Sequence, residues 1–227
     1  MTAIHRTRAI DHPSYGRIMI FDDEDYISRI VGSGAEWEPE ICELMARRVE
    51  PGGDVLDVGA NIGLSALGIL KRGAKPRAVH CFEPRADSMA LLQYNLRDQL
   101  AGGDVEAFGF ALSSEPIGVH RYAQTPGNIA GTQMGLYSHE FCASTTLDEV
   151  DQRGAFQKVS LIKIDVEMHE GEMLEGARGF FRAHRPVMFI EVCDHLVEAR
   201  AAWLRNEIGY VLERHLGGWD YIFAPST

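Results

Sequence analysis

The sequence predicts one α/β domain built around a doubly wound sheet with helices on both faces, and three observations carry that prediction. From Val55 onward, β-rich runs alternate with helical periods in the order that βαβ crossovers require. The β-rich runs are mostly continuous apolar stretches, as strands covered on both faces are. The first of them, Val55-Leu56-Asp57-Val58, runs directly into the turn Gly59-Ala60-Asn61-Ile62-Gly63 and then a helical period, the join at which such sheets hold ligands.

The elements follow in chain order. Residues 1–50 form an N-terminal extension in which Arg17–Phe21 is a strand candidate and Asp22-Asp23-Glu24-Asp25 reads as a solvated turn. A helix follows with Pro39 in its first turn and Ile41, Leu44, Met45 and Val49 on one face, ended by Pro51-Gly52-Gly53. Residues 51–227 supply the core. Its five predicted parallel strands are Val55–Val58, Ala78–Phe82, Val105–Ala111, Val159–Ile164 and Val187–Val192. Between them the 3.6-residue period places helices near Leu64–Lys71, Ala86–Arg97, Gly171–Ala183 and Leu196–Ile208. Tyr210–His215 and Trp219–Ala224, separated by Leu216 and the Gly217-Gly218 pair, predict a terminal antiparallel hairpin. The stretch 113–150, which carries Pro116, Pro126, Gly127, Gly131 and Gly135, interrupts the alternation and reads as an extra hairpin with a lid-like loop.

Composition narrows the function. A chain of 227 residues, 45% hydrophobic and 24% charged, is an ordinary globule able to bury one core, so a single domain over 1–227 is expected. No apolar stretch approaches the roughly 18 residues of a membrane span, and Met1 to Arg8 lacks the apolar segment of a secretory signal, so a cytoplasmic, membrane-free location is expected. Cys42, Cys81, Cys142 and Cys193 never approach a C-x-x-C spacing and read as reduced core residues. With 22 Lys+Arg against 33 Asp+Glu the net charge is −11, which repels phosphate backbones, and nucleic acid is not an expected partner.

The ends of the strands carry the chemistry. Gly59 and Gly63 let backbone approach a ligand, but their spacing is not the G-x-G-x-x-G of nicotinamide enzymes, and Asp57 would repel a pyrophosphate. A phosphate-free cationic nucleoside such as S-adenosylmethionine suits Asp57, Gly59, Asn61 and Gly63 better. Glu83 ends the second strand ahead of Pro84, where a carboxylate accepts both hydroxyls of a ribose. The fourth strand ends in Asp165-Val166-Glu167-Met168-His169-Glu170, which puts Asp165 beside the donor and Glu167 or His169 within reach of an acceptor. An imidazole titrates near neutrality, so His169 is the expected general base, with Asp165 as the alternative. Lys163, inside an apolar run, must pair with an acid or reach an edge. The fifth strand brings Glu191 and Asp194 to the same rim, where Glu191 pairs with Lys163 or orients the substrate. Asp165, Glu191 and Asp194 are also candidate ligands for a divalent cation. His80, His120 and His215 have no constellation around them.

Four segments together resemble the FkbM-type S-adenosylmethionine-dependent methyltransferases, over about Trp37 to Ala224. They are Asp57-Val58-Gly59-Ala60-Asn61-Ile62-Gly63; Phe82-Glu83-Pro84 with Asn95-Leu96; Thr146-Leu147-Asp148-Glu149-Val150; and Ile162-Lys163-Ile164-Asp165-Val166-Glu167 with His169-Glu170. The resemblance implies a class I methyltransferase, Rossmann-like fold: a seven-stranded, mostly parallel sheet with an antiparallel C-terminal strand. It also implies methyl transfer, typically to a hydroxyl oxygen of a sugar, glycan or polyketide-like natural product. This chain has Met168 where the family usually has Gly, and its third strand ends Gly109-Phe110-Ala111 without a polar side chain beside adenine, leaving backbone around Ala111 to read the base. Asn128 and Tyr137 in the lid-like segment are candidates for holding the acceptor. Transfer to a peptide amide or amine nitrogen, or a non-catalytic nucleoside-binding role, are the competing readings. A homodimer through the N-terminal strand is compatible with the sequence.

Overall fold

The computed structural model of the protein describes residues 5–22, 25–125, 128–134 and 140–226. The N-terminal extension begins with an antiparallel hairpin, β1 (Thr7–His12) and β2 (Gly16–Phe21), of which the sequence pattern reveals only the second strand. A further helix, α1 (Tyr26–Gly32), follows. Asp25 belongs to it rather than to a solvated turn: it is 3% exposed and its carboxylate accepts the Ser28 N–H at 2.9 Å, capping the first turn. Helix α2 (Pro39–Arg48) starts at its proline, as the sequence predicts.

The core then alternates: β3 (Asp54–Val58), α3 (Leu64–Lys71), β4 (Val79–Phe82), α4 (Ala86–Asn95), α5 (Arg97–Gly102) and β5 (Val105–Phe108). After an intervening segment come β10 (Val159–Ile164), α7 (Glu170–Glu175), α8 (Arg178–His184), β11 (Val187–Glu191), α9 (Val197–Trp203), β12 (Tyr210–Gly217) and β13 (Asp220–Pro225). They form one seven-stranded sheet in the order β12-β13-β11-β10-β3-β4-β5. The pairings from β11 through β5 are parallel, and β13 runs antiparallel to both neighbours. This is the predicted α/β architecture. Alternate residues of each strand face opposite cores. Val55, Val79, Leu161 and Phe189 pack towards α2, α3 and α4, whereas Leu56, Phe82, Ile162 and Met188 pack towards Phe180, Phe181 and Leu204.

Three departures from the sequence reading have physical reasons. The strand expected over Val105–Ala111 stops at Phe108, because the chain turns out at Gly109-Phe110 and Phe110 packs on Phe82 and Phe108 with ring centroids 5.8 Å apart. Its continuation, β6 (Ala111–Leu112), joins β7 (Gly118–Thr125), β8 (Asn128–Met134) and β9 (Glu140–Thr145) in a second sheet of order β6-β9-β7-β8, more than the single extra hairpin expected. The helix expected over Gly171–Ala183 breaks into α7 and α8 at Gly176, where a Cβ would lie 1.9 Å from the Ser113 carbonyl oxygen. Only glycine lets the end of β6 pack there.

Two of the recurring motifs prove to be ties between these parts. Thr146 caps α6 (Leu147–Gln152), its hydroxyl oxygen accepting the Glu149 N–H at 3.0 Å, while Asp148 accepts the Gly179 and Phe180 N–H groups at 3.0 and 2.7 Å and so caps α8. The amide of Asn95 donates to the Met19 and Ile62 carbonyls at 3.0 and 2.9 Å and accepts the Met19 N–H at 2.7 Å, fastening the N-terminal hairpin to the turn after β3.

Candidate active site

A cavity of about 490 Å³ opens at the carboxyl ends of β3, β4, β10 and β11, the place where open parallel sheets bind ligands. Its floor is the turn after β3. There Gly59 takes φ +83°, and a Cβ on it would fall 1.8 Å from the Asp165 carbonyl oxygen, so the turn and the end of β10 touch backbone to backbone. Asn61 takes the left-handed conformation at φ 49° and donates its N–H to Glu83 Oε2 at 2.9 Å. Gly63, at φ +83°, begins α3 and packs on Leu92 and Leu96 rather than lining the cavity.

Glu83 is 6% exposed, and its other oxygen accepts the Arg85 N–H at 2.9 Å. Each oxygen holds one backbone donor and keeps a second lone pair for the cavity. Burial pushes this carboxyl up to about 7 against the pull of those N–H groups. Asp57 lies beneath the turn, 3% exposed, with neither oxygen in a hydrogen bond. Burial pushes it up to about 6 against Lys163 and the Ala66 N–H, which approaches without normal hydrogen-bond geometry.

Lys163 stands opposite Asp57 in the β3–β10 register and donates to Asp165 Oδ2 at 2.7 Å. Burial opposes its charge, yet Asp165, Glu38 and Asp57 hold the ammonium well above its ordinary value. Its partner is therefore Asp165 and not Glu191. Asp165, Glu167 and Glu191 all line the cavity, as do Pro84 and Ala111. Glu167 is raised to about 7 by burial and by Asp165, and Glu191 to about 8 by burial, Asp165 and Glu167.

Other expected residues lie elsewhere. His169 is not among the cavity residues: its Nε2 pairs with the Ser113 hydroxyl at 3.0 Å, its ring meets that of His120 at 5.6 Å, and burial lowers its basicity. The backbone gives the reason. Glu167 and Met168 both adopt positive φ, 52° and 73°, and turn the chain back before the imidazole is reached. Asp194 is exposed and accepts the Tyr221 hydroxyl at 3.4 Å, and among the described residues Asp165, Glu191 and Asp194 form no group placed to hold a metal ion. Asn128 opens β8, while Tyr137 falls outside the described residues; from the same stretch Tyr122, Thr132 and Met134 reach the cavity instead. His80 also has partners, with Asp54 at 3.7 Å and Glu106 at 3.3 Å.

The N-terminal extension supplies a wall that the strand-end argument does not foresee: Tyr26, Ile27 and Ile30 from α1, then Trp37 and Glu38. The signals are the Asp25 cap and the Trp37-Glu38-Pro39 helix entry. Glu38 begins α2 at φ 41°, its Oε2 is buried without a partner, and burial lifts the carboxyl to about 7.

These acids set the pH dependence of stability. Glu38, Glu83 and Glu167 release their protons near 4.5 in the unfolded chain but near 7 in the folded one, so between those values the folded state binds more protons. The melting temperature of the ligand-free protein is expected to fall as pH rises from about 5 to about 8, and calorimetric scans across that range check it.

Among the described residues, no helix is long and apolar enough to cross a membrane. The Methyltransferase FkbM domain matches this chain over residues 57–212. The chain is 31% identical over 140 residues to the hexuronic acid methyltransferase AglP of Haloferax volcanii, covering 61% of this chain and 56% of that protein. It is 27% identical over 205 residues to the AMB antimetabolite synthetase AmbE of Pseudomonas aeruginosa, covering 73% of this chain and 9% of that one. It thus spans little more than half of one relative and a small part of the other. A crystal structure of the methyltransferase FkbM from Methylobacillus flagellatus superposes with a TM-score of 0.54 at 20% identity, covering 82% of this chain and 50% of that one.

Proposed function

Because this chain belongs to the FkbM methyltransferase family, we propose that it methylates a hydroxyl oxygen of a sugar, glycan or polyketide-like small molecule, with S-adenosylmethionine as donor. The observation that carries the reading is Glu83 at the mouth of the turn, buried, with a free lone pair on each oxygen facing a cavity of about 490 Å³. A ribose diol donates two hydroxyls, which such a carboxylate accepts. Asp57, expected beside the donor, does not line the cavity; from beneath the turn its unpartnered carboxyl acts on the donor's cationic end through its field alone. The relative named for hexuronic acid supports a sugar-like ring in the acceptor, though not its carboxylate.

S-adenosylmethionine supplies a methyl group on a cationic sulfur, which departs with the bonding pair of the sulfur–methyl bond. The residues of this chain do the rest. Glu83 and the Gly59–Gly63 turn fix the nucleoside, and the walls from Tyr26, Trp37 and Phe110 keep water away. As the acceptor oxygen forms its bond to carbon, its proton passes to Asp165, whose Oδ2 is held by Lys163 and whose Oδ1 makes no hydrogen bond among the described residues. Glu191, on the neighbouring strand, orients the acceptor. Incubation with methyl-labelled donor and a panel of hydroxylated and aminated acceptors tests this. Label in an ether is expected; label only on nitrogen overturns the oxygen assignment.

A further inference from the structure

Resting on the methyl-transfer reading, the charge inventory of the cavity carries the acceptor one step further. Two cations line it, and both are engaged: Arg85 with Asp87 and the Thr132 hydroxyl, Lys163 with Asp165. Glu38, Glu167 and Glu191 line the same space without a basic partner in an ion pair among the described residues, and Asp57 lies buried and unpartnered beneath it. The donor brings an ammonium and a sulfonium against one carboxylate, a net single positive charge. Burial holds Glu38, Glu167 and Glu191 up to about 7, 7 and 8 with no ion-pair partner beside them among the described residues, so a second cation in the cavity is the partner that would ionise them.

The second observation is aromatic. Tyr26 and Trp37 stand at the same wall as Glu38, ring centroids 6.0 Å apart and nearly perpendicular, and the faces of such rings attract cations by roughly 0.5–2 kcal/mol. One side of Tyr26 is already approached by Arg29, at 5.9 Å from the ring centre. The backbone holds two of the acids at a cost, since Glu38 and Glu167 sit at φ 41° and 52°, where such side chains are rarely found. An acid without an ion-pair partner on the same wall as an indole suits a protonated amine, and no lining cation among the described residues remains to receive an acceptor carboxylate.

We infer that the acceptor carries a protonated amine close to the hydroxyl that is methylated, held by Glu38, Glu191 and the Trp37 ring, and that acceptors bearing a carboxylate there are rejected. The test uses the protein loaded with S-adenosylhomocysteine and three probes of equal size with substituents on adjacent carbons: aminocyclohexanol, cyclohexanediol and hydroxycyclohexanecarboxylate. Near neutral pH the amine is expected to bind at least about tenfold tighter than the diol, with no detectable binding of the carboxylate. Glu38→Gln and Glu191→Gln, two variants in separate elements, are each expected to narrow that preference. No preference for the amine, including no binding by any probe, overturns the inference while leaving methyl transfer standing. Failure to load S-adenosylhomocysteine overturns both.

Discussion

Replacing Asp165 by Asn is expected to lower kcat by about 10²–10⁴-fold, the usual worth of a positioned general base. The carboxylate lies at the end of β10 in the cavity wall, one oxygen bonded to Lys163 at 2.7 Å and the other turned to no protein donor among the described residues. Asn keeps the shape and a carbonyl acceptor for Lys163 but cannot take the acceptor's proton. Lys163 retains the attraction of Glu38 and Asp57, so the variant is expected to fold. Steady-state kinetics separates the effects: a proton-acceptor role lowers kcat far more than it raises KM for the donor. Turnover near that of the wild type would move the base to Glu191 or Glu167. His169, against Ser113 and outside the cavity, is placed for packing between α7 and the second sheet.

Gly59→Ala is expected to cost at least about 4 kcal/mol of stability, at the upper end for single substitutions. The left-handed conformation alone costs an alanine about 1–2 kcal/mol. The greater part of the loss is steric, because the new Cβ would sit 1.8 Å from the Asp165 carbonyl oxygen and 2.8 Å from its carbon. Those atoms are backbone, fixed by the in-register pairing of Asp57 with Lys163 and Val58 with Ile164. Relief therefore requires β3 and β10 to separate at the centre of the sheet. Gly63→Ala is the contrast: its Cβ meets Leu96 at 2.9 Å and Leu92 at 3.3 Å, side chains that can give way, so a smaller loss is expected. Thermal denaturation of both variants checks the ranking, and a Gly59→Ala protein melting within a few degrees of the wild type would contradict it.

The central sheet is readable in the sequence because runs such as Val159–Ile164 are apolar for most of their length and buried throughout. The peripheral pieces are not. β1 has one buried residue in six, the seven-residue α1 offers too short a period to recognise, and the second sheet is built from polar stretches such as Gly118–Thr125. The same division runs through the site. Gly59, Glu83, Asp165 and Glu191 follow from the rule that ligands meet strand ends, whereas Trp37 and Glu38 arrive from an extension whose fold the strand pattern does not constrain. For His169, nearness in sequence to Glu167 does not become nearness to the cavity, because two consecutive positive φ angles turn the chain away. The Thr146–Val150 motif holds the fold together rather than lining the site, since its hydroxyl and carboxylate cap α6 and α8.

Calorimetric titration of S-adenosylhomocysteine into the wild type and into Glu83→Ala addresses the donor site itself. The cavity geometry predicts saturable one-to-one binding that weakens at least about tenfold in the variant, roughly 1.4 kcal/mol. A folded wild-type protein that binds neither S-adenosylhomocysteine nor S-adenosylmethionine would contradict it.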